Sequence, residues 1–122
     1  MKRILVIEDN PLLSEMLLRM LGLAGYEVQS AANGRIGLAS YKRQASDLVI
    51  TDIVMPDTEG LETIQALRRH DATAKIIAMS GGGLGGSTGY LTLARRLGAH
   101  WSLTKPFSGD ELRNAVAAVL AG

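Results

Sequence analysis

The segment Leu48-Val49-Ile50-Thr51-Asp52 places an acidic residue directly after a run of apolar and β-branched residues. A continuous run of this kind predicts a strand that is covered on both faces, as strands in parallel sheets are. Burying a carboxylate at the end of such a strand is costly unless a partner of opposite charge or a hydrogen-bond donor accompanies it. Asp52 is therefore the first candidate for a functional residue.

Four further strands are predicted, two before this segment and two after it. They are short, and most lack the alternation of apolar and polar residues that marks a half-exposed strand. With Leu48–Thr51 as the third, the predicted strands are Arg3–Ile7, Glu27–Ala31, Lys75–Met79 and Trp101–Leu103.

Helices are predicted between the strands and after the last one. Ser108 and Glu111 have the spacing of a capping box in front of the last helix. Five successive βα units predict an α/β fold in which helices flank a parallel sheet. The helical patterns cover residues 13–21, 34–43, 60–69, 90–97 and 112–120.

The composition fits one globular domain over residues 1–122, with 47% apolar and 20% charged residues. Because cysteine is absent, disulfides, thiolate zinc sites and a cysteine nucleophile are excluded. A net charge of +1 without a basic block argues against nucleic acid or an anionic membrane as a partner. The longest apolar run, Ala115–Ala121, is too short to span a bilayer, and the residues after Met1 do not form a signal peptide. We therefore expect a cytoplasmic protein.

Polar residues follow four of the five predicted strands. Right-handed crossovers bring the carboxyl ends of parallel strands to one edge of the sheet, where α/β proteins bind ligands. Three converging carboxylates repel each other and need a cation, and oxygen ligands of this kind suit Mg²⁺. The polar segments are Glu8-Asp9, Asp52, Ser80 and Thr104-Lys105-Pro106.

The acids after the first strand also allow a simpler interpretation. Asp9 or Asn10 has the right position to cap a helix that begins at Pro11. The sequence leaves this alternative open for Glu8-Asp9, whereas the buried strand before Asp52 gives the third acid no such explanation.

The segment Asp52-Ile53-Val54-Met55-Pro56-Asp57-Thr58-Glu59-Gly60 resembles the phosphoacceptor segment of response-regulator receiver domains, the CheY-like family. The resemblance extends over nearly the whole chain. It implies a flavodoxin-like (βα)5 fold, a doubly wound parallel five-stranded sheet with strand order 2-1-3-4-5. The other matching positions, in order, are Glu8-Asp9, Ser80, Gly98-Ala99 and Lys105-Pro106-Phe107.

The resemblance also implies a role for each residue at the sheet edge. Asp52 takes a phosphoryl group from a histidine kinase or phosphotransfer protein, and Ser80 and Lys105 bind the phosphoryl oxygens. Without phosphate, Lys105 is expected to pair with Asp52, and its peptide bond to Pro106 is expected to be cis. The expected Mg²⁺ ligands are Asp9, Asp52 and the backbone carbonyl of Val54, with Glu8 acting through water.

A protein of this family is a signalling switch rather than an enzyme, since it catalyses only its own phosphorylation and dephosphorylation. The phosphoryl group brings roughly −1.5 to −2 charges. The resemblance implies that the resulting change reaches a downstream protein through the loop after the fourth strand and the face formed by the fourth helix, fifth strand and fifth helix.

Two features depart from the family pattern. Ser102 occupies the position, three residues before the lysine, where such receivers carry an aromatic switch residue. Trp101 is adjacent, but strand alternation turns it to the opposite face, where we interpret it as a core or interface residue. The run that starts Gly81-Gly82-Gly83 predicts a mobile loop that replaces the aromatic relay, or else a passive connector.

Three other functions are alternatives to a phosphorylated receiver. Gly81, Gly83 and Gly86 match a dinucleotide-binding fingerprint, but residues 72–109 contain no acid for the ribose. A hydrolase elbow at Ser80 lacks a histidine after Asp110 to complete its triad. The third alternative is a receiver-like docking module that signals without phosphorylation, and the intact set of Asp9, Asp52, Ser80 and Lys105 argues against it.

Overall fold

A computed structural model describes residues 1–53, 59–81, 92 and 94–122. These residues form five parallel strands in the order β2-β1-β3-β4-β5, so the predicted flavodoxin-like topology is confirmed. The strands are β1 (Arg3–Ile7), β2 (Glu27–Ala31), β3 (Leu48–Asp52), β4 (Ile76–Gly81) and β5 (Trp101–Lys105). The helices are α1 (Pro11–Leu23), α2 (Gly34–Arg43), α3 (Glu59–His70), α4 (residues 94–97) and α5 (Gly109–Ala121).

The last three strands extend further at their carboxyl ends than the apolar pattern predicts. Asp52 still pairs with Met79, and Gly81 pairs with Lys105, so the ladder continues through polar residues. The pattern marks side-chain burial, whereas strand pairing depends on the backbone, which explains the difference. As a result Asp52, Ser80 and Lys105 are part of the sheet rather than of the loops after it.

The core consists of two apolar layers, one on each face of the sheet. Leu5, Ile7 and Val49 belong to the layer shared with α2, α3 and α4. Ile4, Val6 and Ile50 belong to the layer shared with α1 and α5. Neighbouring residues of one strand thus point to opposite layers, and this explains why the strand sequences are apolar throughout.

A hydrogen bond from a buried tyrosine links α2 to the end of α3. The Tyr41 hydroxyl donates to Asp71 Oδ2 at 2.7 Å. Asp71 Oδ1 accepts from both the backbone N–H and the hydroxyl of Thr73. Hydrogen bonds from Thr73 and from Tyr41 lower the pKa of Asp71 from 3.8 to about 2.

We predict that Tyr41→Phe lowers the free energy of unfolding by about 1–2 kcal/mol at pH 7, because the ring stays buried while the hydrogen bond is lost. The pKa of Asp71 is lowered on folding, so this stabilisation is present above the unfolded value and is lost as pH falls toward 2. Urea unfolding of both proteins from pH 7 down to about pH 3 measures the difference. A difference that stays constant below about pH 4 would contradict this assignment.

Candidate functional site

Three carboxylates meet at the carboxyl edge of the sheet. Glu8 directly follows β1 and Asp52 ends β3, and the register that pairs Ile7 with Thr51 brings them side by side. One carboxylate oxygen from each of Glu8, Asp9 and Asp52 lies within 4.8 Å of the other two. Glu8 is 2% exposed and Asp52 3% exposed, whereas Asp9 lies at the surface. The predicted acidic cluster therefore forms.

The ammonium group of Lys105 bridges the two buried acids. Its Nζ donates to Glu8 Oε1 at 3.0 Å and to Asp52 Oδ2 at 2.9 Å. Lys105 is the last residue of β5, and the peptide bond to Pro106 is cis. The structure thus pairs Lys105 with both Asp52 and Glu8.

The burial of these charges changes their proton affinities. Burial raises the pKa of Glu8 to about 7, although hydrogen bonds from the Asn10 N–H and from Lys105 oppose the rise. Burial alone would lower the pKa of Lys105, but hydrogen bonds to Asp52 and Glu8 outweigh it and raise that pKa. For Glu8, the effect of burial thus outweighs the stabilisation of its carboxylate by Lys105.

Asn10, rather than Asp9, caps the amino end of α1. Its Oδ1 accepts the N–H groups of Leu12 at 2.9 Å and of Leu13 at 3.2 Å, so Asn10 is the N-cap of α1. Its backbone N–H donates to Glu8 Oε2 at 3.1 Å. Asn10 performs the capping, and this leaves Asp9 available to the cluster.

Other predicted site residues lie near this edge or outside the described residues. Ser80 is fully buried in β4, next to Gly81, which pairs with Lys105. Ser102 is half-buried on β5. Gly81 ends β4, whereas Gly82, Gly83 and Val54 fall outside the described residues.

The aromatic next to Ser102 is an exposed residue rather than a core residue. Trp101 is 43% exposed at the start of β5. This excludes the core interpretation of Trp101 and leaves the interface interpretation.

The structure explains a glycine that the sequence identified only by resemblance. A Cβ at Gly60, in the first turn of α3, would lie 2.3 Å from Ile53 Cα and 2.4 Å from the Asp52 carbonyl oxygen. Both neighbours are backbone atoms of the chain that leaves the acidic cluster. Glycine therefore lets α3 pack directly against the residue that carries the central carboxylate.

The apolar stripe predicted on α1 does not lie entirely in the core. Met16 is 51% exposed, because it lines a groove of about 380 Å³ beside Lys105, Pro106 and Phe107. Leu17, one residue further along, is fully buried. The apolar stripe thus covers more of the helix surface than the part that faces the core. Sequence periodicity does not distinguish a residue that lines a groove from a residue in the core.

Comparison with known proteins identifies relatives over nearly the whole chain. The family signature described as "Response regulator receiver domain" matches residues 4–117. The chain is 36% identical over 120 residues to the DNA-binding dual master transcriptional regulator RpaA of Synechocystis sp., covering 98% of this chain and 49% of RpaA. It is 34% identical over 116 residues to the chemotaxis protein CheY of Thermotoga maritima, covering 94% of each. The chain thus spans about half of RpaA but nearly all of CheY.

A solved structure of similar fold carries ligands. The response regulator protein TrrA from Thermotoga maritima, in complex with Mg²⁺-BeF, has a TM-score of 0.85 and 36% sequence identity, covering 98% of this chain and 99% of TrrA. Within the described ranges of the present chain, no helix is both long and apolar enough to cross a membrane.

We predict that Gly60→Ala lowers the free energy of unfolding by about 1–3 kcal/mol, because the backbone atoms around its Cβ must move. Gly22→Ala in α1 is the matched control, since a Cβ there meets nothing within 4 Å. Urea unfolding of the two variants and the wild type measures the effect. Equal stability of both variants would contradict the close packing described at Gly60.

Proposed function

The chain belongs to the response regulator receiver domain family, the CheY-like receivers of two-component signalling, and on this basis we propose that it is a phosphorylation-dependent switch with Asp52 as the phosphoacceptor. The observation that carries the proposal is the contact between Lys105 Nζ and Asp52 Oδ2, at 2.9 Å inside a cluster of three acids. A buried carboxylate accompanied by positive charge is what phosphoryl transfer requires of a protein nucleophile.

The proposed reaction exchanges one phosphorus bond for another. A carboxylate oxygen of Asp52 forms a bond to phosphorus while the bond from phosphorus to the histidine nitrogen of the donor breaks. The histidine regains its electron pair, and the product is an aspartyl phosphate. Lys105 then donates to the phosphoryl oxygens instead of the carboxylate, and the Ser80 hydroxyl donates to another of them.

We propose that Asp9 and Asp52 ligate Mg²⁺, with the carbonyl of Val54 as a third ligand and Glu8 acting through water. The donor set fits this ion, since carboxylate oxygens from three residues lie within 4.8 Å of one another. When bound, the ion neutralises charge on the equatorial phosphoryl oxygens. The presence of Mg²⁺-BeF in the TrrA structure supports this assignment.

The phosphoryl donor is proposed to be a histidine kinase or phosphotransfer protein that contacts the groove beside Lys105. The groove is lined by Leu13, Met16, Leu17, Met20, Pro106 and Phe107 and opens next to the residue that binds Asp52. A protein that delivers a phosphoryl group must approach this edge, and the groove offers it apolar contact area.

The signal is proposed to reach a downstream protein through residues 81–83 and the face formed by α4, β5 and α5. Ser102 on β5 lacks the ring that would couple Lys105 to this face, so we assign the moving part to the glycine run. The exposed indole of Trp101 on β5 gives this face an aromatic side chain of the kind that protein interfaces favour. We further propose a cytoplasmic protein.

Incubation with acetyl phosphate and Mg²⁺ tests phosphorylation directly. We expect intact-protein mass to increase by one phosphoryl group in the wild type and in Asp110→Asn, an exposed control, but not in Asp52→Asn. No gain in the wild type, or a gain that persists in Asp52→Asn, would favour the alternative of a docking module that signals without phosphorylation.

The metal assignment predicts that replacing Asp9 weakens Mg²⁺ binding, whereas replacing the exposed Asp110 does not. Asp9→Asn is expected to raise the Kd for Mg²⁺ by about tenfold or more, because an amide supplies no charge to a hard cation. Isothermal titration calorimetry with Mg²⁺ measures the affinity. Asp110→Asn is the control, and an equal affinity of Asp9→Asn and wild type would remove Asp9 from the site.

The groove assignment predicts that protein donors and small donors respond differently to one substitution. Met16→Glu is expected to slow phosphoryl transfer from a phosphorylated histidine kinase by about tenfold, since it places a charge in an apolar contact. Its rate of labelling by acetyl phosphate should stay near that of the wild type. Kinases that transfer to the wild type provide the assay, and equal slowing with both donors would contradict a docking role.

A further inference from the structure

A group of cations occupies the end of the molecule opposite the acidic cluster. In a parallel βα fold the helices end at the edge where the strands begin, so residues from several helix ends meet there. Arg68 and Arg69 lie in the last turn of α3, and Arg95 and Arg96 lie in α4. Lys75 directly precedes β4. We call these five residues the basic end.

Contacts near His100 bring the end of α3 next to the segment that links α4 to β5. His100 directly precedes β5, and its Nδ1 accepts the N–H of Ile76 at 3.3 Å. Arg68 at the end of α3 donates to the carbonyl of Gly98, just after α4. Burial, together with the charges of Arg68, Lys75 and Arg95, lowers the pKa of His100, which agrees with this placement.

Two of the five cations have a structural task. The guanidinium of Arg68 donates to the carbonyl of Ala72 at 2.7 Å and to the carbonyl of Gly98 at 2.6 Å. Lys75 Nζ donates to the carbonyl of Gly122, just after α5, at 2.9 Å. These contacts compensate the negative ends of helices. Arg68 and Lys75 are therefore explained by the fold.

The other three, Arg69, Arg95 and Arg96, are not explained in this way. All three are exposed, and within the described ranges none has a carboxylate partner within 4.0 Å. Residues 72–109 contain no Asp or Glu. Asp71, the acid nearest to Arg69 in the sequence, is bound by Tyr41 and Thr73, and Asp110, the acid nearest to Arg95 and Arg96, pairs with Arg113. The basic end thus presents three exposed guanidinium groups that form no salt bridge with the acids of the described residues.

We propose that Arg69, Arg95 and Arg96 bind an acidic segment of a partner protein. Guanidinium groups pair with carboxylates through two parallel hydrogen bonds, which gives a short acidic segment both affinity and orientation. The indole of Trp101 follows His100 in the chain and is 43% exposed, and tryptophan and arginine are the residues enriched at protein interfaces. Three cations would neutralise too few phosphates for firm binding of nucleic acid.

The position of this surface gives it a function distinct from phosphoryl transfer. The strands run from the basic end to the acidic cluster, so a partner at one end leaves the other accessible. A partner at the basic end therefore does not need to contact Asp52. A partner retained there would raise the local concentration of its other domains near the acidic cluster.

A labelled peptide of alternating glutamate and serine tests the proposal by fluorescence anisotropy. The test variant carries Arg69→Gln, Arg95→Gln and Arg96→Gln. The matched control carries Arg19→Gln, Arg35→Gln and Arg113→Gln, which gives the same net charge from residues outside the basic end. We expect the test variant to raise the Kd at least about tenfold and the control to change it less than about threefold. Urea unfolding checks that both variants remain folded.

Three results would overturn the proposal. The first is that the wild type does not bind the peptide, and the second is that both triple variants lose binding equally. The third is that the three arginines are needed for binding a DNA duplex or phosphatidylserine vesicles while the peptide does not bind. Asp52→Asn should bind the peptide as the wild type does. Failure of Asp52 to accept phosphate would leave this outcome unchanged, so the two proposals are tested separately.

Discussion

The candidate site depends on charged groups held together at one edge of the sheet. Glu8, Asp9 and Asp52 bring three carboxylates together, and the ammonium of Lys105 lies between the two buried ones. Burial raises the pKa of Glu8 to about 7 even though Lys105 donates to it. A cation and a phosphoryl group are ligands that such a site can accept together, since the ion lowers the cost of adding further negative charge.

The fold around this site serves to keep these groups at contact distance. The strand order places β1 and β3 next to each other, which brings Glu8 beside Asp52. Lys105 comes from β5, two strands away from β3, and its long side chain spans that distance. The absence of a side chain at Gly60 lets α3 approach the residue after Asp52. The core therefore fixes the position of Asp52, whereas Lys105 reaches it through a long side chain.

Sequence patterns identify most of this arrangement because polar residues at the ends of buried strands have few alternative explanations. Asp52 and Lys105 are predicted on that ground, together with a parallel α/β fold, whereas the strand order and the roles of the two residues are what the family resemblance implies. The pattern could not choose between Asp9 and Asn10 as the helix cap, since either oxygen can accept the same N–H groups. It also could not show that Met16 lines a groove, because periodicity records the face of a helix but not what covers it. The sequence does not show which cations of the basic end already donate to backbone carbonyls and which do not. Only the structure shows those hydrogen bonds.

The central claim is that phosphorylation moves Lys105 from the carboxylate of Asp52 to the phosphoryl group. A crystal structure of the chain with Mg²⁺ and beryllofluoride, a stable phosphoryl mimic, tests this most directly. The account predicts beryllium bonded to a carboxylate oxygen of Asp52, a metal ion held between Asp9 and Asp52, and Lys105 Nζ in contact with a fluoride. Beryllofluoride bound elsewhere, or Lys105 still bridging Glu8 and Asp52, would contradict it.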